Sequence, residues 1–227
     1  QVFSARALRE ILRQKESLTK IFVSSILIST VVAVLSATIG LMTGRALVFY
    51  DFAGKKTISF LTILPFMVPV TVFAMGVQIV FIKMRLNNTI TGVIIAHLIC
   101  SLPYAVRLLT DGTQAVGMRL EEQARVLGAS AFTAFFRISL PMLVPVILSA
   151  VSMSYIVSFS QYFLTLMIGG GNVRTFTIIM VPYLQSGNRN IACIYSAIFL
   201  GITLAVFGIF DEIAKHFTKN NGGDYYS

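Results

Sequence analysis

Apolar residues dominate this chain in long blocks, not in alternating or heptad patterns. Five blocks reach the length of a bilayer crossing, which takes about 20 residues of helix. They run at about 21–44, 57–82, 88–106, 141–168 and 191–210, and none holds an Asp, Glu, Lys or Arg. Lipid offers no partner to a free N–H or C=O, so each block predicts a helix. Pro65 and Pro69 in the second block, Pro103 in the third and Pro145 in the fourth predict bends. The polar stretch at 107–140 is far longer than a connector needs, and such segments are often functional. The stretch from Thr175 to Ser186 is apolar but too short to cross; it predicts a re-entrant or interfacial segment.

Composition sharpens this picture. Of 227 residues, 56% are hydrophobic and 12% charged, about half the charge of a soluble domain. Mean hydropathy is +0.82. A soluble enzyme, a disordered chain and a coiled coil are excluded. The net charge of +9 comes from 18 Lys+Arg against 9 Asp+Glu. A basic excess often marks nucleic-acid binding, but here the charges lie between apolar blocks, so the partner is a lipid bilayer and not nucleic acid. Cys100 and Cys193 sit inside apolar blocks, with no disulfide frame or metal spacing. Assigning loops alternately puts nine Lys+Arg on each side, so the positive-inside rule ties. Without residues 1–20 the count is nine against four and favours a cytoplasmic 107–140. Within 1–20, Phe3, Leu8, Ile11, Leu12 and Leu18 interleave with Arg6, Arg9, Arg13 and Lys15, which predicts an amphipathic helix on the membrane surface.

The 107–140 stretch has its own pattern. Val116, Leu120, Ala124 and Leu127 recur at 3.6 residues and predict a short helix ending near Gly128, a residue suited to a left-handed cap. Its small face (Ala124, Gly128, Ala129) admits another protein closely; its polar face carries Glu121, Glu122, Gln123 and Arg125. Ser130 is a candidate N-cap for a second short helix, with Phe132, Phe135 and Phe136 turned to apolar neighbours. The plain alternative is a surface helix with no partner.

This stretch resembles the EAA loop of permease subunits of ATP-binding-cassette importers that depend on a binding protein. The family pattern is Glu-Ala-Ala, three residues, Gly, nine residues, Ile, one residue, Leu-Pro. The chain has Glu122-Gln123-Ala124, then Gly128, Ile138 and Leu140-Pro141 at the same spacing, departing only at Gln123. Leu64-Pro65 to Pro69 and Leu102-Pro103-Tyr104 resemble neighbouring family segments, so the likeness covers about 4–210. It implies the all-α, polytopic type I importer permease fold, with five spans here and a sixth, N-terminal span preceding them. Residues 1–20 would then be an external segment, 21–212 the permease domain with a cytoplasmic coupling loop at 107–140, and 213–227 a cytoplasmic tail. In the family this helix couples to the ATPase, which implies that role for Glu121, Glu122, Gln123, Ala124, Gly128 and Ala129. The implied partners are a second permease subunit, identical or related, two ATPase subunits and an extracytoplasmic substrate-binding protein. The implied location is the bacterial inner membrane.

The chain itself predicts no enzyme. Gly169-Gly170-Gly171 is followed by Asn172-Val173-Arg174 instead of the Lys-Ser/Thr of a phosphate-binding loop, so it reads as a turn. The resemblance implies that ATP and magnesium are bound by the partner ATPase subunits, and no cofactor or metal is expected on this chain. His97 reads as a packed, hydrogen-bonded histidine more readily than as a proton relay. Ser158, Ser160, Gln161 and Tyr162, late in the fourth block, are candidate substrate-path residues, because hydroxyl and amide groups in lipid need partners; satisfying one another across helices would serve equally. Thr71, Gln78, His97 and Tyr104 are further candidates. The likeness is nearest the polyamine branch and implies a polyamine or another small polar solute as cargo, although no block carries the acids that a cationic cargo favours. A membrane scaffold or sensor docking a cytoplasmic partner through 107–140 is the alternative reading.

Overall fold

The computed structural model describes residues 15–187 and 189–222, mostly helical with short connections, with no strand among them. In chain order these are α1 (Lys15–Phe49), α2 (Lys55–Met67), α3 (Val70–Lys83), α4 (Ile90–Val116), α5 (Arg119–Val126) and α6 (Ala131–Ala134). A π-helical turn, Phe135–Ser139, then leads into α7 (Leu140–Phe159), α8 (Phe163–Gly169), α9 (Phe176–Gln185) and α10 (Arg189–Gly222).

Four stretches are long and apolar enough to cross a membrane: Leu18–Phe49, Ile90–Val116, Ala131–Phe159 and Arg189–Ile213. The pair α2 and α3 makes a fifth if counted as one broken span. The single second span expected from the apolar block is thus two helices meeting at 112°. Pro69 supplies no N–H and disfavours a helical residue before it, and Val68 is accordingly extended at φ −97°, ψ 127°. Pro65 lies within α2. The expected fourth span is also interrupted: α7 stops at Phe159, and the chain restarts as α8 only at Phe163.

The long polar stretch is shorter than the charges suggested. α4 continues through Arg107 and Asp111, which pair on its surface at 3.0 Å, and ends at Val116. Only 117–139 lies outside α4 and α7. Charged residues one turn apart neutralise each other, so they did not stop the helix. At the amino end, α1 begins at Lys15 with no boundary at residue 20; the surface helix expected over 1–20 lies otherwise outside the described residues. At the other end, α10 continues through 213 to Gly222.

α1 is the spine of the bundle, packing on α4 and α7, which also pack on each other. Gly40 and Gly44 make the α1–α4 contact. A Cβ on Gly44 would stand 2.9 Å from the Thr110 amide, and one on Gly40 would stand 3.0 Å from the Ala105 carbonyl carbon. This is close backbone approach through small residues four apart. Ile28, Val32, Ala74, Phe81, Val93, Leu164 and Ile168 form a core where α1, α3, α4 and α8 converge. A second core is aromatic: Phe22 stacks on Phe176 at 4.5 Å, Phe159 on Phe199 at 5.3 Å, and Tyr183 on Tyr195 at 5.5 Å. It ties α9 and α10 to α1 and α7.

Candidate functional site

The segment that leaves the bundle is α5 with its flanking turns. Gly117 (φ 71°) before it and Gly128 (φ 94°) after it hold conformations that L side chains avoid, and no atom lies within 4 Å of where their Cβ would stand. Gly128 is the left-handed residue that the sequence pointed to, and the Ala129 amide donates to the Ala124 carbonyl at 3.0 Å. Ser130 caps α6 as expected, its Oγ accepting from the Thr133 amide at 3.1 Å.

The faces of α5 differ from the periodic reading. Glu122, Gln123 and Arg125 are exposed, and Ala124 and Ala129 half-buried. Val126 and Leu127 stand 88% and 87% exposed beside Gly128, an apolar tip. Phe132 does not turn to apolar neighbours as expected: it is 72% exposed and touches the Phe136 ring at 4.3 Å. Helical spacing gave its angle around the axis, but the bundle ends before reaching it.

Glu121 does not share the polar face. It points inward, 5% exposed, and accepts two hydrogen bonds from Arg45 near the end of α1, Nη1 to Oε1 at 2.8 Å and Nη2 to Oε2 at 3.1 Å. The Arg45 guanidinium lies over the rings of Phe49 and Phe135, at 5.1 and 4.5 Å. Burial pushes the Glu121 carboxyl up, but hydrogen bonds from Arg45 and Ser139 and the charges of Arg45 and Arg125 outweigh it and hold the group below the ordinary glutamate value. Sequence reasoning missed Arg45 as a partner because the two residues are 76 apart. The Gly40/Gly44 spacing directly before Arg45 was the available signal.

The residues proposed for the substrate path divide. Ser158 is buried and closed off by His97, whose Nδ1 lies 3.0 Å from its Oγ. His97 Nε2 lies 2.8 Å from Thr165 Oγ1, so His97 is the packed, satisfied histidine that its isolation suggested. The single Thr165 hydroxyl hydrogen goes to the Gln161 carbonyl at 2.9 Å. Nε2 is therefore the donor towards Thr165, and in the neutral ring Nδ1 accepts from Ser158. Thr177 also donates to the Gln161 carbonyl, at 3.0 Å. Two hydroxyls thus satisfy the carbonyl freed by the break between α7 and α8. At that break Ser160 is exposed, and Gln161 and Tyr162 are half-buried. Gln78 reaches the Met167 carbonyl at 3.0 Å. Gly169–Gly171 forms the expected turn, with Gly170 and Gly171 at φ 51° and 83°, and Gly170 packed against the Asn88 side chain. Among the described residues, no group of three His, Cys, Asp or Glu could hold a metal.

Comparison with known proteins gives this geometry its context. The family described as "Binding-protein-dependent transport system inner membrane component" matches residues 20–218. The molybdate/tungstate transport system permease protein WtpB of Pyrococcus abyssi (strain GE5 / Orsay) is 30% identical over 184 residues, 81% of this chain and 73% of the relative. The ferric transport system permease protein FbpB of Actinobacillus pleuropneumoniae is 28% identical over 193 residues, 84% of this chain and 28% of the relative. The spermidine/putrescine transport system permease protein PotC of Escherichia coli (strain K12) is 26% identical over 200 residues, 86% of this chain and 76% of the relative. The match runs over the bundle, the broken span and α5 alike, and this chain belongs to the family of inner-membrane permease components of binding-protein-dependent transport systems.

Proposed function

We propose that this permease subunit lines half of a substrate path and takes mechanical work from a cytoplasmic ATPase through α5. The observation that carries the reading is the exposed tip of Val126 and Leu127, set beside the open backbone of Gly128 on a helix held outside the bundle. Glu122, Gln123, Ala124, Gly128 and Ala129 face outward or flank that tip and would meet the ATPase groove; Glu121 holds the helix from behind. ATP and magnesium are bound by the ATPase subunits. A second permease subunit completes the path and a binding protein delivers the cargo on the outer side.

On the path, Ser160, Gln161 and Tyr162 are the residues of choice, since the break leaves Ser160 exposed and the other two half-buried, while Ser158 supports His97 from the core. The cargo is a small polar ion. The relatives' names span molybdate/tungstate, ferric ion and spermidine/putrescine. Hydroxyl and amide groups at the break, with no acid in any of the five apolar blocks, favour an oxyanion over a polyamine.

The test is co-purification of the ATPase subunit in detergent, followed by uptake of labelled molybdate against putrescine in proteoliposomes carrying the full complex. Replacing Gly128 with Trp should abolish ATPase recovery while membrane insertion survives. Unimpaired recovery would refute the docking role of α5, and putrescine uptake without molybdate uptake would return the cargo to the polyamine class.

A further inference from the structure

α5 hangs between two glycine turns with no neighbour within 4 Å of either missing Cβ. Eight residues suspended in that way would swivel under load. A buried contact opposes this. The Arg45 side chain is 18% exposed and that of Glu121 6%. Their two parallel hydrogen bonds, at 2.8 and 3.1 Å, fix orientation as well as distance, which a single point contact cannot do. The Phe49 and Phe135 rings hold the guanidinium plane, and Phe135 belongs to the π-helical turn. The contact therefore joins α1, α5 and the π-helical turn at the foot of α7. Four residues before Phe49, α1 has just left its glycine contact with α4, so the joint continues directly into the tightest helix pair of the bundle.

We propose that Arg45 and Glu121 are positioning residues that lock α5, α1 and the foot of α7 into one rigid unit, so that movement imposed on α5 passes into the bundle instead of being absorbed at Gly117 and Gly128. This rests on the reading of α5 as the ATPase-coupling helix. The lock needs the planar fork of arginine; a lysine keeps the charge but makes a single, rotatable contact.

The experiment uses the full complex with its co-expressed ATPase in nanodiscs, with Cys100 and Cys193 changed to Ser. Spin labels are placed at Arg119→Cys on α5 and Val23→Cys on α1, both exposed positions, and diluted with unlabelled copies. Their distance is read before and after trapping with ATP and vanadate. The parent should give one narrow distance that stays within about 2 Å on trapping, the scale of interface helix shifts. Glu121→Gln, Arg45→Met and Arg45→Lys should each broaden it and let trapping move it further. A parent distance that shifts on trapping, or variants as narrow and unresponsive as the parent, would overturn the lock. Failure of the ATPase to co-purify with the unsubstituted chain would instead overturn the coupling reading on which it rests.

Discussion

The glycine contact between α1 and α4 offers the sharpest quantitative test of the fold. In Gly44→Ala the new methyl would stand 2.9 Å from the Thr110 amide and 3.1 Å from the Leu109 carbonyl carbon. Comfortable contact begins near 3.5 Å, and both neighbours are backbone inside a helix, so no side chain can swing aside. The helices must part by roughly half an ångström or more, and gaps of that size already forfeit about a quarter of the dispersion well along the seam. Overpacking of this kind costs about 1–3 kcal/mol. Alanine meanwhile gains about 1 kcal/mol of helix propensity over glycine, so the raw change understates the clash. Gly76, inside α3 with nothing within 4 Å of its missing Cβ, supplies the control: Gly76→Ala collects the propensity gain alone. Unfolding of the purified chain in mixed micelles should therefore place Gly44→Ala about 1–3 kcal/mol below Gly76→Ala. Gly40→Ala should behave like Gly44→Ala, and the double variant should fall short of the sum, because one displacement relieves both clashes. If Gly44→Ala proved as stable as Gly76→Ala, the α1–α4 approach described above would be wrong.

Three further outcomes follow from named contacts. His97→Ala would remove the acceptor of Ser158 and the donor to Thr165, and should lower stability by about 2–3 kcal/mol in the same unfolding assay through unmet polar groups and a cavity; a loss under 1 kcal/mol would argue that water replaces the ring. Ser25 Oγ donates to the Ile21 carbonyl and accepts from the Phe176 amide at 2.7 Å, so Ser25→Ala should orphan that amide, cost about 1–3 kcal/mol, and raise hydrogen exchange at the start of α9 before anywhere else. The carboxyl of Glu121 is held below the ordinary value of 4.5, so its contribution is present above that value and fades as pH falls through the lowered one. The stability gap between the parent chain and Glu121→Gln should thus stay level from pH 8 to about 5 and narrow at more acid pH; a gap that widened on acidification would contradict the ion pair.

Much of the architecture was legible in the linear order of residues, because in lipid the backbone must satisfy itself and apolar block length alone then sets the helices. The same holds for α5: its end is fixed locally by Gly128 and the start of α6 by Ser130, each within a few residues of the helix it caps. Block length could not find the breaks. Pro69 was visible, but whether it gives a slight kink or the 112° turn depends on what α2 and α3 pack against. The halt of α7 at Phe159 has no proline or glycine to announce it; it is stabilised by the hydroxyls of Thr165 and Thr177 meeting the Gln161 carbonyl.

Which polar residue faces a partner and which faces the core was decided only in three dimensions. Glu121 and Glu122 are chemically alike and adjacent, so composition and spacing treat them alike. The fold separates them, because Gly40 and Gly44 bring α1 near enough for Arg45 to reach one carboxylate and not the other. Ser158 and Ser160 part in the same way, one closed against His97 and one left at an open break. Local sequence determines helices and caps through short-range bonds, whereas the pairing of charges and hydroxyls across 60 to 80 residues follows from helix packing, of which a single segment such as Gly40/Gly44 shows a close approach but not the partner.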